Sequence, residues 1–276
     1  MSDKVWLVTG ANSGLGRAIA EAAAGAGDRV VATARRMESL DDLVRAHPRQ
    51  VVPARLDVTD HEAIRTTVAN VIAEEGRIDV LVNNAGRSHV GAVEETADEE
   101  LRDLFEVHVF GPAALTRAVL PHMRARKTGA IVQISSVGGR LSFAGFGAYS
   151  ATKCALEGMS EALADEVKSF GVKVLIVEPG AFRTSLFGNY SGSKATEIYA
   201  DSVGKTRQMI TAYDGRQPGD PDRAAAAVLT ALNAAETPLR LPLGSDAVDA
   251  ITAHLDEVKA DIDLWEKVSR ETDLDG

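Results

Sequence analysis

The sequence contains almost no cysteine: Cys154 is the single one among 276 residues, which excludes an internal disulfide and allows a reducing compartment. No stretch approaches the ~20 consecutive apolar residues of a transmembrane helix. The first apolar run, Val5-Trp-Leu-Val8, is too short for a secretory signal peptide. These absences predict a cytoplasmic protein that does not bind membranes, in which Cys154 packs as a small buried side chain.

Basic residues are also scarce, since 30 Lys and Arg stand against 40 Asp and Glu and give a formal net charge of -10. A surface of this charge repels nucleic acid and anionic membranes, so neither is expected as a partner. A small anionic ligand at a local positive site stays compatible with it. The composition is otherwise ordinary for a globular protein, and 276 residues are enough to bury a full core.

What the sequence does contain is a strand that runs directly into a glycine-rich turn. Residues 5–9 are apolar up to Thr9, and Gly10, Gly14 and Gly16 precede an alanine-rich helix. This layout places a phosphate at the helix N-terminus. One glycine permits the sharp turn, one leaves room for a pyrophosphate, and one lets the helix pack closely on the strand. A plain glycine-rich turn is the alternative interpretation of the motif taken alone.

Apolar strands then alternate with helical segments along the whole chain. The predicted strands after the first are 29–34, 50–56, 78–82, 130–135, 172–177 and 239–243. The pattern predicts an α/β fold, with residues 1–276 in a single-domain, doubly wound, Rossmann-like parallel sheet that has helices on both faces. Ligands of such sheets bind at the carboxyl ends of the strands. The marked residues that follow predicted strands are Gly10, Arg35, Asp57, Asn83, Ser136 and Pro179.

The pattern loosens after Gly180. Residues 184–219 contain scattered Gly, Ser and Tyr and one helical candidate, 196–213. A long irregular segment beside the binding edge is typical of a substrate lid, which is our interpretation of 184–219. A helix at 221–235 and a C-terminal strand and helix within 239–276 complete the predicted fold.

The stretch from Tyr149 to Lys153 carries the chemistry that we consider most telling. On a helix, residues four apart share a face, so the two side chains stand together. An ammonium beside the phenol favours the phenolate, which predicts a pKa of Tyr149 below its usual ~10. Ser136 ends an apolar strand upstream and is expected to bind a substrate oxygen. An ordinary amphipathic helix with a surface lysine is the alternative for the motif alone.

In combination these motifs resemble the short-chain dehydrogenase/reductase family. The residues that carry the resemblance are Thr9-Gly10-x-x-x-Gly14-x-Gly16, Asn83-Asn-Ala-Gly86, Ser136, Tyr149-x-x-x-Lys153 and Pro179-Gly180. The resemblance implies that Ser136, Tyr149 and Lys153 are catalytic. His108 stands where the family usually has an asparagine whose main chain holds a water, so we include His108 as a fourth member. We expect its imidazole to be neutral at pH 7, because burial and Lys153 both disfavour the charged form.

The resemblance also implies a set of cofactor contacts. Asp57 would contact the adenine, Asn83 the cofactor ribose, Lys153 the nicotinamide ribose, and Thr184 the nicotinamide end. The implied set is Gly10, Asn12, Ser13, Gly14, Leu15, Gly16, Arg35, Arg36, Asp57, Val58, Asn83, Ala85, Gly86, Tyr149, Lys153, Pro179, Gly180 and Thr184. No metal site is expected.

Arg35 and Arg36 end the second strand, where an acidic residue would bind the ribose 2′-hydroxyl of NAD. An arginine there can instead bind a 2′-phosphate through two charge-assisted hydrogen bonds. The pair therefore predicts NADP(H) as the preferred cofactor, with Arg35 as the main contact and NAD(H) still possible. Two solvated arginines at a helix start are the alternative.

The predicted function is reversible hydride transfer between a nicotinamide cofactor and an alcohol/carbonyl pair, with Tyr149 as the acid/base. The alternatives are an epimerase- or dehydratase-like relative and a non-catalytic dinucleotide-binding regulator. Arg87, Ser88, His89 and residues 143–146 are candidates for the cleft, although His89 is equally well interpreted as a surface residue. Trp6 and Trp265 are interpreted as packing residues. Relatives commonly form dimers or tetramers, so a homodimer or homotetramer is expected.

Overall fold

The computed structural model describes residues 4–274, and its strands form one large and one small sheet. The strands are β1 Val5–Val8, β2 Arg29–Ala34, β3 Val51–Arg55, β4 Val80–Asn83, β5 His89–Val90, β6 Gly129–Ile134, β7 Val172–Pro179, β8 Ser191–Gly192 and β9 Arg240–Leu243. Seven of them form a parallel sheet in the order β3-β2-β1-β4-β6-β7-β9, and β5 pairs with β8 in a separate ribbon.

Helices connect the strands and cover both faces of the large sheet, so the predicted doubly wound α/β fold is confirmed. They are α1 Gly14–Gly25, α2 Asp41–Ala46, α3 His61–Glu75, α4 Asp98–Phe105, α5 Gly111–Arg126, α6 Gly147–Val167, α7 Lys205–Tyr213, α8 Pro221–Asn233 and α9 Ser245–Arg270. A π-helical turn, Glu106–Phe110, joins α4 to α5 directly before Gly111-Pro112. Within residues 4–274, every helix is too short or too polar to serve as a transmembrane span.

Two apolar layers hold the sheet between its helices. Strand alternation sends Trp6 and Val8 of β1 into the layer under α1 and α8, while Val5 and Leu7 enter the layer under α3, α5 and α6. A fully buried side chain such as Leu7 contributes about 1.5–3 kcal/mol relative to its exposed state. Trp6 is only 1% exposed within its layer, which confirms the packing role predicted for it, and its indole N–H donates to Asp28 at 2.8 Å.

The order of the strands creates the crevice in which a ligand can bind. The chain builds outward from β1 through β2 to β3 and then crosses back to β4, on the other side of β1. The connections after β1 and β4 therefore leave the sheet in opposite directions and open a gap at the carboxyl edge. Thr9 links the two strands there, since its hydroxyl accepts from the Asn84 and Ala85 N–H groups at 2.9 and 3.0 Å.

The segment 184–219 is more regular than predicted. It contains β8, and its helical candidate consists of a 3₁₀ turn at Glu197–Tyr199, a π turn at Ala200–Gly204, and then α7. The segment packs on β5 and its surroundings through a small apolar cluster centred on Val90, Ala92, Val203 and Ile210. The two-residue strands were missed because they are too short to show an alternating pattern.

Two burial predictions are wrong. Trp265 lies on α9 with 59% of its surface exposed, because this helix contacts the body only through residues near its start, such as Ala247 and Ile251. Cys154 is exposed rather than buried, because on α6 it is turned about 100° from the buried Lys153. Its thiol lies 3.2 Å from the Gly139 carbonyl oxygen.

Candidate active site

A cavity of about 500 Å³ lies at the carboxyl edge of the sheet and brings together nearly all of the predicted site residues. The predicted residues that line it are Gly10, Asn12, Ser13, Gly14, Leu15, Arg35, Arg36, Asp57, Val58, Ala85, Gly86, His108, Ser136, Tyr149, Lys153, Pro179, Gly180 and Thr184. Gly16 and Asn83 belong to the predicted set but do not line the cavity. The parallel sheet explains the convergence, because the strands all end at this edge.

The glycine turn has a backbone that other residues rarely adopt. Gly10 and Gly14 have φ values of +63° and +57°, in the left-handed region. Gly16 lies beneath the turn, where a Cβ would stand 2.2 Å from the Asn84 amide nitrogen and 2.6 Å from the Gly10 carbonyl oxygen. Ser13 caps α1 without a side-chain hydrogen bond to the helix, and no acidic residue lies in its first turn. The turn and the helix start therefore suit an anionic group.

Asn84, not Asn83, faces the cavity, which corrects the placement predicted for this pair. The Asn83 side chain is buried within the sheet and donates to Gln133 Oε1 of the neighbouring strand at 2.9 Å. The Asn84 amide donates to the carbonyl oxygens of Thr9 and Gly10 at 2.8 and 3.2 Å and so braces the glycine turn. A ribose contact by the Asn83 side chain does not agree with this position.

The far end of the cavity presents a carboxylate and two guanidinium groups. Asp57 accepts from the Thr59 N–H and hydroxyl at 3.0 and 2.9 Å, which fixes its carboxylate. Arg35 and Arg36 are exposed at the cavity edge, and neither forms an ion pair with the part of the chain that the structure describes. Both guanidinium groups are thus available to a ligand.

Tyr149, Lys153 and Ser136 converge at the opposite end. Tyr149 and Lys153 are buried on α6, with the ammonium nitrogen 5.7 Å from the centre of the phenol ring. Lys153 donates to the Ile134 carbonyl oxygen at 2.9 Å, which ties α6 to the end of β6. The Ser136 hydroxyl accepts from the Gly138 N–H at 3.0 Å, and Ser136 lines the cavity.

Burial determines the titration of this pair. It raises the pKa of Tyr149 above the ordinary value of 10.0, and a hydrogen bond with Ser136 acts in the opposite direction. The prediction of a Tyr149 pKa below its ordinary value is therefore wrong, because desolvation of the phenol is the largest influence. Burial also lowers the pKa of Lys153 to about 8, against the charge of Glu157. Near neutral pH Tyr149 is therefore an uncharged phenol, and it lies beside a charged Lys153.

His108 lies in the π-helical turn, and both of its ring nitrogens have partners. Nε2 accepts from the Arg87 N–H at 3.1 Å. Nδ1 lies 2.8 Å from the Thr152 hydroxyl, which itself donates to the Tyr149 carbonyl oxygen at 2.7 Å. Because the Thr152 hydroxyl uses its single hydrogen for the Tyr149 carbonyl, it can only accept from His108. We therefore assign the proton of His108 to Nδ1.

The imidazole of His108 is neutral, as expected. Burial is the largest of the effects that hold its pKa well below the ordinary 6.5, followed by the charge of Lys153. The ring stands edge-on to the Tyr149 ring with 5.6 Å between centres. The side chain therefore braces the main chain around Arg87 and Tyr149, and neither ring nitrogen bonds to Lys153.

The substrate side differs most from prediction. Arg87 lines the cavity, but Ser88 and His89 are only 2% exposed and lie behind its wall, so the surface interpretation of His89 is wrong. Phe143 lines a separate surface depression next to Tyr199. The wall residues that sequence reasoning missed are Ala34, Leu56, Asn84, Val107, Ile134, Ser135, Phe182, Ser185, Leu186, Phe187 and Asn189. Ala34, Leu56, Ile134 and Ser135 lie at the ends of predicted strands, which was an available signal.

Across the described part of the chain, no group of three or more His, Cys, Asp or Glu side chains is arranged to hold a metal ion.

Comparison with known proteins gives consistent matches. The family model described as short chain dehydrogenase matches residues 4–195. Oxidoreductase BOA17 of Botryotinia fuckeliana is 38% identical over 268 residues, which cover 96% of this chain and 98% of that protein.

Solved structures also match over most of the chain. A short-chain dehydrogenase from Streptomyces avermitilis has a TM-score of 0.92 and 63% identity, with coverage of 98% of this chain and 100% of that one. A metagenomic short-chain oxidoreductase in complex with NADP has a TM-score of 0.70 and 31% identity, with coverage of 88% and 97%.

Proposed function

Because this chain belongs to the short-chain dehydrogenase family, we propose that it interconverts an alcohol and a carbonyl compound by hydride transfer, with NADP(H) preferred over NAD(H). The observation that carries the proposal is the convergence of Tyr149, Lys153 and Ser136 on a cavity that also contains the glycine turn. The proposed substrate is a small molecule, residues 184–219 are its proposed lid, and the proposed assembly is a homodimer or homotetramer.

The residues present fit a nicotinamide dinucleotide. Gly10 and Gly14 adopt left-handed backbone conformations at the start of α1, and Ser13, whose side chain makes no capping hydrogen bond to the helix, lies beside them. Thr184 stands over the turn, since a Cβ on Gly14 would lie 3.3 Å from it. When bound, the cofactor supplies or accepts the hydride. The protein's part is to hold and orient the reactants and to move the proton.

In the proposed mechanism the hydroxyls of Ser136 and Tyr149 bind the substrate oxygen, where negative charge develops during reduction. Tyr149 gives its proton to this oxygen, and it takes a proton from the alcohol in the reverse direction. Its raised pKa favours the donor form near neutral pH. The charged Lys153, fixed by the Ile134 carbonyl, stabilises the tyrosinate that remains.

The preference for NADP(H) rests on Arg35. Its guanidinium is exposed at the cavity edge, immediately after β2, and has no acidic partner among residues 4–274. A 2′-phosphate is a bidentate partner for such a group. Arg36 adds positive charge on the same edge.

A panel of ketones, aldehydes and alcohols, with NADPH consumption or formation as the readout, tests the function. Tyr149→Phe keeps the ring and its packing and removes the hydroxyl alone. We expect it to lower kcat by about 10²–10⁴. NADPH binding, followed by nucleotide fluorescence, should be unchanged. A kcat within about threefold of the parent would refute the role assigned to Tyr149.

A further inference from the structure

Glu157 is a buried carboxylate that the mechanism above leaves without a role. It lies one helical turn after Lys153 on α6 and is only 3% exposed. Its Oε1 accepts from the Ser135 hydroxyl, and its Oε2 accepts from the Arg240 guanidinium of β9. A carboxylate is almost never buried in this way unless its partners offset the loss of hydration.

The contacts of Glu157 complete a two-point attachment between α6 and the end of β6. Lys153 binds the carbonyl oxygen of Ile134, and Glu157 binds the hydroxyl of the next residue, Ser135. Ser136 follows directly. The orientation of the Ser136 hydroxyl relative to Tyr149 therefore depends on an attachment made by the same helix that carries Tyr149.

The neighbouring backbone leaves room for this attachment. A Cβ on Gly139 would lie 2.0 Å from Glu157 Oε1 and 2.6 Å from the Ser135 hydroxyl oxygen. Any side chain at position 139 would thus occupy the space in which these two groups meet. The close approach identifies Ser135 and Glu157 as a built contact rather than an incidental one.

The charges around Glu157 are not fully paired. Arg240 also contacts Glu178 of β7 and, at 2.6 Å, Glu161 of α6, so one guanidinium serves three carboxylates. A second guanidinium, Arg140, is 3.9 Å from Glu157. The charge of Glu157 opposes the effect of burial on the pKa of Lys153.

The other titratable groups beside Lys153 do not compete with this charge. Tyr149 precedes it by one turn on α6, and burial raises the pKa of the phenol, which is neutral near pH 7. His108 faces it from the π-helical turn, and burial keeps that ring neutral too. Glu157 is accordingly the group through which the electrostatics of Lys153 can be altered by a single substitution.

We propose that Glu157 is a positioning residue for the reaction: it holds the end of β6 through Ser135, so that Ser136 faces Tyr149, and places a negative charge beside Lys153. Arg240 orients Glu157 and links the C-terminal strand β9 to the site. The inference rests on the proposed function for its kinetic consequences, but its electrostatic part is measurable without turnover.

The test compares Glu157→Gln with Glu161→Gln. Both remove one carboxylate charge that contacts Arg240 from α6, but Glu161 is exposed and does not reach Ser135. We expect Glu157→Gln to lower kcat by about tenfold or more, because a displaced active-site group can lose up to ~10² in rate. The KM for NADPH should stay unchanged. The kcat of the control variant Glu161→Gln should stay within about twofold of the parent value, because Glu161 belongs to an exposed ion pair.

A second measurement follows the Lys153 side chain by NMR in protein labelled with ¹³C at lysine Cε, with Lys153→Arg to assign the signal. We expect Glu157→Gln to shift the titration midpoint down by about half to one pH unit, since a nearby opposite charge favours the ammonium. Equal kcat and equal midpoints in the two variants would overturn the proposal. If the parent reduces no carbonyl compound, the proposed function fails, and the midpoints still decide the role of Glu157.

Ser135→Ala keeps every charge and removes only the hydroxyl that Glu157 binds, so it decides the positional part if Glu157→Gln does not fold. We expect kcat to fall by about threefold to tenfold with the Lys153 midpoint unchanged, since the loss is one of geometry. A folded Ser135→Ala enzyme with the kcat of the parent would overturn the positioning role.

Discussion

The two walls of the cavity are built in different ways. The wall proposed to bind the cofactor, called the cofactor wall below, consists of short connections that leave neighbouring strands of the large sheet, and it is braced where Asn84 meets the Thr9 and Gly10 carbonyls. The wall proposed to face the substrate, called the substrate wall below, depends on β5 and β8, which are about 100 residues apart in the chain and pair outside the large sheet. One wall follows from the parallel sheet itself, and the other from a contact between distant segments.

The substrate wall is also held by different forces. His89 lies between two hydroxyls, with Nδ1 3.0 Å from Ser191 and Nε2 3.0 Å from Ser193. Arg207 of α7 bonds to Glu95 at 3.0 Å. Few fully buried apolar side chains support these polar contacts. We therefore expect the substrate wall to open at a lower free energy than the cofactor wall, whose strands lie in the main core.

Among the substitutions that distinguish the two walls, the largest effect is expected on the cofactor wall. Arg35→Ala removes the guanidinium proposed to bind the 2′-phosphate, and hydrogen bonds to charged groups are worth about 1.5–3 kcal/mol. We expect kcat/KM for NADPH to fall by about tenfold to a hundredfold and that for NADH to change little. Steady-state kinetics with NADPH and with NADH measure both changes in kcat/KM. Arg36→Ala should lower kcat/KM for NADPH less than Arg35→Ala does. Equal use of both cofactors by the parent, or an unchanged preference in Arg35→Ala, would contradict the assignment.

The next effect concerns His108, where the two walls meet. His108→Leu roughly keeps the volume but leaves the Arg87 N–H without its acceptor and Thr152 without its donor. We expect kcat to fall more than about tenfold, because the main chain around Tyr149 loses its brace. His108→Asn restores a polar partner and should keep most of the activity. Normal turnover in a folded His108→Leu enzyme would show that this side chain is dispensable.

A smaller effect is expected on the substrate wall. His89→Leu removes the two hydrogen bonds to Ser191 and Ser193, each worth about 0.5–1.5 kcal/mol. We expect the substrate KM to rise by about threefold to tenfold while the NADPH KM stays constant. Hydrogen exchange in residues 185–199 should become faster. His89→Gln, which retains a donor and an acceptor, is the matched control. Equal hydrogen-exchange rates in the parent and His89→Leu would show that His89 does not hold this wall in place.

The smallest effect is a dependence of stability on pH. His108 binds a proton in the unfolded chain near pH ~6.5, whereas in the folded protein its pKa is well below that value. Above pH ~6.5 His108 is neutral in both states, so the stability that depends on the neutral ring is fully present. As the pH falls from ~6.5 toward the folded pKa, only the unfolded chain binds the proton, and the free energy of unfolding decreases by up to about 1.4 kcal/mol per pH unit. Urea unfolding of the parent and His108→Asn at about pH 7 and about pH 5.5 measures the difference. If the parent and His108→Asn lost the same free energy of unfolding between the two pH values, the prediction would be contradicted.

Much of the cofactor wall was predictable because its signals are local. Gly10, Gly14 and Gly16 are spaced by the needs of one turn, and Tyr149 and Lys153 by one turn of a helix. Residues after apolar strands meet because parallel strands end at one edge. These relations act over a few residues or follow from the fold class, so they can be inferred before any contact is known.

The sequence by itself thus determined the sheet, the glycine turn and the Tyr149–Lys153 pair. Only the tertiary structure decided which of Asn83 and Asn84 faces the cavity, and that His89 is buried. It also decided that the pKa of Tyr149 is raised rather than lowered. The physical reason is common to these cases: burial and hydrogen-bond partners come from segments far away in the chain, and desolvation depends on all of them together.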